Sequence, residues 1–394
     1  MNKFLILTIL AVFIIPLSSV IPLAGQPLWY GQYLGFLFCL FLGISIFLWD
    51  FDKPLSILTA YCLYSAFFIT NLNPRSIILL IQLDLGCLTS YLISKFNTKQ
   101  RKYILWSILC FTILQFLWVA LQKFNLDPFF DKLGNPKLDD MVGFAGSKNQ
   151  LGSFFALTMP VLLNFSPYLL AISMLGLIVA KSSFAFIAAL ASAVIYYKFT
   201  DIKKFRFVSL ILLTLTICFL LARDIPKFTD FRTRIGVWNY AVKSTVSGEI
   251  FIEKGNQKLI VHTNPVFGYG FGNFLSIFPY VPQKVSQRYF GTNCQFNYDT
   301  EKFTHAHNDF VEYFFELGWA GLGIIFLMLL NFFYQFIKSK KSQEIVLYFA
   351  CLLAYLINSC GNFLSQIAVS GMFLILYYGM FKGAIRDGQT SVSC

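Results

Sequence analysis

The chain has 394 residues, 57% of them hydrophobic and 13% charged, including 46 phenylalanines, and its mean hydropathy is +0.65. Soluble domains carry about 25% charged residues, so the composition argues against a soluble enzyme, a disordered chain or a disulfide-built secreted scaffold and points to a polytopic membrane protein. The net charge of +12 would suit nucleic acid in a soluble chain, but in a membrane protein Lys and Arg first report topology, and no nucleic-acid partner is expected.

A helix needs about 20 apolar residues to cross the hydrocarbon. Apolar runs bounded by charges and Pro/Asn/Gly clusters predict an all-α fold of about 12 membrane helices, at 3–23, 32–49, 54–70, 76–94, 103–122, 150–165, 167–180, 183–198, 206–222, 310–337, 343–359 and 363–381. The first run follows Lys3 as in a signal peptide, but it lacks a clean cleavage site and more spans follow at once, so a retained helix is expected. The sixth to eighth runs are short and closely spaced, which also suits re-entrant segments. With the N-terminus inside, the inner segments carry 15 basic residues against 6 in the short outer ones. That bias places both termini in the cytoplasm. The other 10 basic residues fall in one large outer loop, about 223–309, between the ninth and tenth helices.

The nine cysteines lie mostly inside candidate spans, with Cys294 in the large loop and no CxxC pair, so no redox or zinc framework is read. All three histidines, His262, His305 and His307, belong to the large loop or its end. Any active site is therefore expected on the outer face, where nucleotide sugars and ATP are absent. Gly143-Phe-Ala-Gly146-Ser147-Lys148-Asn149 lacks P-loop spacing, and the glycines at 268, 270 and 272 do not have dinucleotide-fingerprint spacing. His305-Ala306-His307-Asn308-Asp309 has an HxHxD form, but Phe310 follows where a further His is needed; no metal and no cofactor is expected. Asp84 lies inside the fourth span, where acids are functional by default.

From Asn308 the polar loop passes into a long apolar helix. Asp309, Glu312 and Glu316 share one face of its first turns, where acids suit the helix dipole, and Asn308 or Asp309 is placed as the cap. Capping accounts for the acids but not for a histidine directly before them.

His307-Asn308, followed after nine residues by Gly318 and after two more by Gly321, resembles the signature of the O-antigen ligase and polymerase superfamily. Gly143-Phe-Ala-Gly146-Ser147-Lys148-Asn149-Gln-Leu-Gly152 resembles its glycine/asparagine stretch, and Lys181-Ser182-Ser183 its basic helix end. Arg234-Ile-Gly-Val-Trp238 resembles its RxxxW element, and Pro265-Val-Phe-Gly268-Tyr-Gly270-Phe-Gly272-Asn273-Phe274 its PxxGxGxxxF loop. The chain then divides into N-terminal helices and first outer loop (1–142), a ligase-like region (143–325), and C-terminal helices with a cytoplasmic tail (326–394). The resemblance implies a bacterial inner-membrane enzyme working on the periplasmic side. It would move a glycan from undecaprenyl diphosphate to a saccharide acceptor, which is lipid A–core for a ligase and the growing chain for a polymerase. Leu322-Gly323 stands where ligases often have a threonine pair, and Lys181 where many members have arginine. Ligase and polymerase therefore both remain open. A lipid-linked oligosaccharide flippase and a non-catalytic envelope scaffold are the rival classes.

Departure of a diphosphate needs positive charge. Arg234 is the first candidate for a metal-independent clamp, Lys181 the second, with Arg232 beside them. A group of near-neutral pKa suits removal of the acceptor proton. His307 is the candidate base, or alternatively an imidazolium that binds the diphosphate, and Glu312 is placed to orient it. His305, Gly270, Asn273 and Lys148 complete the expected substrate-binding set, and Asn149 lines the site or caps the sixth helix. Trp238 is expected as a membrane-interface anchor more than as a sugar platform.

Overall fold

A computed structural model describes residues 48–69, 74–124, 126, 143–145, 147–200, 228–254, 257–281, 305–362, 364–366 and 368–390. The expected spans at 3–23 and 206–222 and nearly all of 32–49 lie outside the described residues, as do Cys294 and the side chain of Arg232.

The described chain is mostly helical. In order it forms α1 (Lys53–Tyr64, running into a π turn, Ser65–Ile69), α2 (Pro74–Ser94), α3 (Thr98–Lys123), α4 (Lys148–Phe165), α5 (Leu170–Ala180), α6 (Ser183–Thr200), α7 (Phe228–Ser247), β1 (Glu249–Lys254), β2 (Gln257–His262), α8 (Asp309–Lys338), α9 (Gln343–Ser359) and α10 (Ala368–Thr390). Four helices are long and apolar enough to cross a membrane: Arg75–Ser94, Thr98–Lys123, Ser183–Thr200 and Asp309–Lys338. Pro167–Ala180 and Gln343–Ser359 are shorter apolar helices. This is consistent with a membrane protein.

A two-stranded hairpin stands beside the helices, an element the all-α expectation did not include. β1 and β2 pair antiparallel with Glu249 opposite His262 and Ile252 opposite Leu259. Two runs rich in Ile, Val and Phe, separated by Gly255-Asn256, carry a hairpin signal. A search for membrane spans passes over it because each strand is too short and too charged.

The described residues pack as two units interleaved along the chain, one within 92–200 and 335–390, the other within 48–91 and 228–334. In the first unit, α3 starts with a reciprocal capping box between Asn97 and Gln100. α4 is capped by Ser147, whose Oγ accepts from the Gln150 N–H at 3.3 Å, which corrects the expectation that Asn149 could be the cap. α6 lies along α9 and buries Ala185, Ala188, Ala189, Ser192 and Ala193. Small residues let apolar helices approach closely where hydrophobic burial supplies little drive between them. Arg101, 1% exposed, ties three helix ends together. It donates to Phe96 O at 2.6 Å and Thr98 Oγ1 at 3.1 Å, and it pairs with Glu344 of α9 at 2.9 Å and Asp387 of α10 at 3.0 Å.

In the second unit, Asp52 caps α1 through the Leu55 N–H and accepts from the Asn331 side chain of α8. α8 is not continuous. Gly318 has φ 62° and ψ −160°, a conformation that essentially only glycine adopts. An unbroken helix would bond the amides of residues 319 and 320 to the carbonyls of 315 and 316. Here Trp319 and Ala320 donate instead to Pro265 O at 3.1 Å and Val266 O at 2.9 Å. The released carbonyls of Phe315 and Glu316 accept from Tyr269 N at 2.9 Å and Gly270 N at 2.7 Å. The freed Leu317 carbonyl accepts from Tyr61 Oη of α1 at 2.9 Å. Loop 265–270 thus substitutes, bond for bond, for the interrupted helix ladder, as buried backbone requires. Only glycine fits at the crossing: a Cβ on Gly268 would stand 2.5 Å from Gly318 N, and one on Gly318 2.5 Å from Pro265 O. Beside this interlock, Phe274, Phe278 and Tyr269 pack on Phe315 with Val237, Tyr240, Ile250 and Ile252. The rings of Tyr269 and Phe315 stack at 4.5 Å.

Candidate functional site

Arg234 and Trp238 stand four residues apart on α7, which puts them on one helix face. The Trp238 indole donates to the Ala306 carbonyl at 2.7 Å, so this face addresses the turn 305–307 directly. Trp238 therefore acts as a fastener of that turn.

The turn is held from α8 as well. Asn308 caps the helix by accepting from Phe310 N at 3.0 Å and Val311 N at 3.1 Å. Glu312, one turn into α8, uses both carboxylate oxygens. Oε2 accepts from Ala306 N at 3.1 Å, and Oε1 lies 3.2 Å from His305 Nδ1. Between these fixed points His307 takes φ 53°, in the left-handed region that costs a non-glycine residue roughly 1–3 kcal/mol. Backbone strain of this kind persists only where neighbours enforce it, and it gathers at functional sites.

The acids of the α8 start are not a solvated stripe. Asp309, Glu312 and Glu316 are 3%, 1% and 1% exposed. Glu312 is committed to the 305–306 segment. Glu316 Oε1 accepts from Phe274 N at 3.0 Å, the Gly272 N–H also bonds to Glu316, and Arg75 is the cation acting on it. The capping expectation is correct for Asn308 and is superseded for Glu312 and Glu316, which bind other segments.

Burial is the largest influence on His307, followed by the charges of Arg234 and His305. Together they push its pKa down to about 4. At neutral pH this imidazole is uncharged, with a guanidinium as neighbour.

The second unit thus brings Arg234, His305, His307 and Glu312 together. Gly270 and Asn273 are in the same unit, but in the interlock. The Gly270 amide is spent on Glu316 O, and Asn273 Nδ2 donates to Tyr269 O at 2.8 Å. The Arg232 backbone lies on α7 two residues before Arg234. Lys148 and Lys181 belong to the other unit. Lys148 opens α4. Lys181 is an exposed, left-handed C-cap of α5 with φ 50°. These two stretches do meet, since a Cβ on Gly152 would lie 2.7 Å from Ser182 Cβ. Asp84 is buried in α2 at 1% exposure, and its Oδ1 has no hydrogen-bond partner among the described residues. Sequence reasoning missed Tyr61 and the Trp238–Ala306 bond. A tyrosine inside a span gives no sign that its hydroxyl meets a helix break 256 residues away. Among the described residues, no group of three or more His, Cys, Asp or Glu side chains is placed to hold a metal ion.

The chain matches no family model and no curated protein.

Proposed function

We propose that the chain is a membrane glycosyltransferase of the O-antigen ligase and polymerase type, moving a glycan from undecaprenyl diphosphate to a sugar hydroxyl. The lipid A–core acceptor of a ligase is the first reading. The observation that carries it is the charge of Arg234 acting on a strained, half-buried, uncharged His307, in a turn fastened by Trp238 and Glu312. In this reading Arg234 meets the negative charge that develops on the departing diphosphate, a role for a planar, permanently charged donor. His307, neutral at pH 7, offers a hydrogen bond in the same place and is not a second fixed cation. Glu312 and Glu316 are already engaged with the chain itself, which supports a clamp built from cations.

The reading includes a multi-pass inner-membrane topology of about 12 spans, with cytoplasmic termini and a periplasmic loop at 223–309, on the charge bias of the short loops. The test is a transfer assay with purified protein, undecaprenyl-diphosphate glycan and a saccharide acceptor. Release of lipid diphosphate, insensitive to a chelator and lost in Arg234→Ala, is the expected result. Folded protein that releases none contradicts the reading. In a deletion strain, a ligase defect leaves bare lipid A–core with long lipid-linked chains, whereas a polymerase defect leaves a single repeat on the core.

A further inference from the structure

The two histidines of the turn have opposite partners. His305 Nδ1 faces the Glu312 carboxylate at 3.2 Å, and its side chain is 15% exposed while that carboxylate is 1% exposed. His307 instead feels the positive charge of Arg234. We propose that His305, oriented by Glu312, is the proton acceptor of the transfer step, and that His307 serves the diphosphate side beside Arg234. This rests on the transferase reading above.

Three observations support the assignment. First, the other Glu312 oxygen grips the Ala306 amide at 3.1 Å, so the carboxylate fixes both the ring of His305 and the backbone that carries it. A base held by a third group in this way is the arrangement general-base catalysis uses. Second, a carboxylate facing Nδ1 favours the tautomer with the proton on Nδ1, which leaves the Nε2 lone pair for the acceptor hydroxyl. Third, a cation beside an imidazole weakens it as a base. The burial and the Arg234 charge that push His307 down to about 4 take it far from the near-neutral value at which a general base works best. Among the described residues, the charge of Arg234 from α7 acts on His307, and Glu312 from α8 faces His305.

The step balances as follows. The acceptor hydroxyl gives its proton to His305 Nε2, and its oxygen forms the new bond to the anomeric carbon. The bond from that carbon to the diphosphate oxygen breaks, and its electron pair leaves with the diphosphate, where Arg234 meets it. Glu312 balances the imidazolium until the proton passes to solvent.

The test uses the full-length protein in detergent or nanodiscs, with two readouts. In the transfer assay, His305→Gln and Glu312→Gln should each lower kcat by about 10²–10⁴-fold with little change in KM for the lipid donor. Arg234→Lys should act through the donor. The second readout is nitrogen NMR of labelled histidine. The neutral His305 ring should carry its proton on Nδ1 in wild type and lose that preference in Glu312→Gln, where the anionic partner 3.2 Å away is gone. If His305→Gln keeps kcat within about threefold of a working wild type, the assignment of the base is overturned. If the wild type itself transfers nothing, the transferase reading fails on its own. In that case an Nδ1 proton preference of His305 that is unchanged in Glu312→Gln separately removes the dyad.

Discussion

His307 keeps a backbone conformation that a free peptide would leave, because Asn308, Glu312 and Trp238 fix the chain on both sides of it. Its depressed pKa gives a signed consequence. The folded state resists protonation at His307 while the unfolded chain takes the proton near 6.5. This contribution is therefore present above pH 6.5 and lost as pH falls from there toward about 4. Thermal unfolding followed over that range should show wild type losing stability that His307→Asn, which tolerates positive φ and cannot titrate, does not lose. Trp238→Phe keeps the ring but removes the N–H donated to Ala306 O. With that carbonyl on a residue 1% exposed, the cost should be about 1–2 kcal/mol in denaturant titration, together with lower transfer activity as the turn loosens. A histidine before a capped apolar helix and an Arg–Trp pair at helical spacing could be read without coordinates. The partnership of Glu312 could not. Spacing alone places it to serve either histidine, and the left-handed turn at His307 decides for His305.

The break in α8 and the glycine-rich loop form one structural device. Gly268 and Gly318 are each glycine because the other's backbone passes within contact distance. Gly318→Ala would add a Cβ in a region only glycine occupies and drive it into Pro265 O. A loss of about 3 kcal/mol or more is expected, with failure to accumulate in the membrane as the practical readout. Gly323→Ala, where an added Cβ meets nothing within 4 Å, should be silent in the same assay. In the sequence, the glycines at 268, 270 and 272 suggested a tight loop, and their positive φ values of 71°, 98° and 82° agree. Their partner was not legible. Hydrophobic periodicity runs unbroken across Gly318, so an apolar segment such as 310–337 reads as one helix even where its hydrogen bonds are handed to another segment. The hairpin escaped for the opposite reason, since its two six-residue strands are too short and too charged to stand out as spans in a chain of long apolar runs.

Each unit of the chain draws on distant stretches of sequence, so a reading in chain order finds the helices but not which of them pack together. Arg101 shows what holds one unit. With two carboxylates and two further oxygens around it at 1% exposure, removing the guanidinium leaves its partners facing one another. Arg101→Ala should cost about 3 kcal/mol, and Arg101→Lys should recover part of that, because a point charge cannot reach the same set of oxygens. A thermal-shift series on purified variants measures both. For topology, a reporter phosphatase active only outside the cytoplasm should be active when fused in the hairpin near residue 254 and inactive when fused after Lys340. The reverse pattern would invert the orientation drawn from the short loops.

The most direct measurement is the release of undecaprenyl diphosphate by purified protein supplied with a lipid-linked glycan and a saccharide acceptor, compared between wild type and Arg234→Ala at equal folded concentration. The account predicts acceptor-dependent release by wild type and a loss of at least about 100-fold in the variant. Equal release by both proteins, or none from folded wild type, contradicts it.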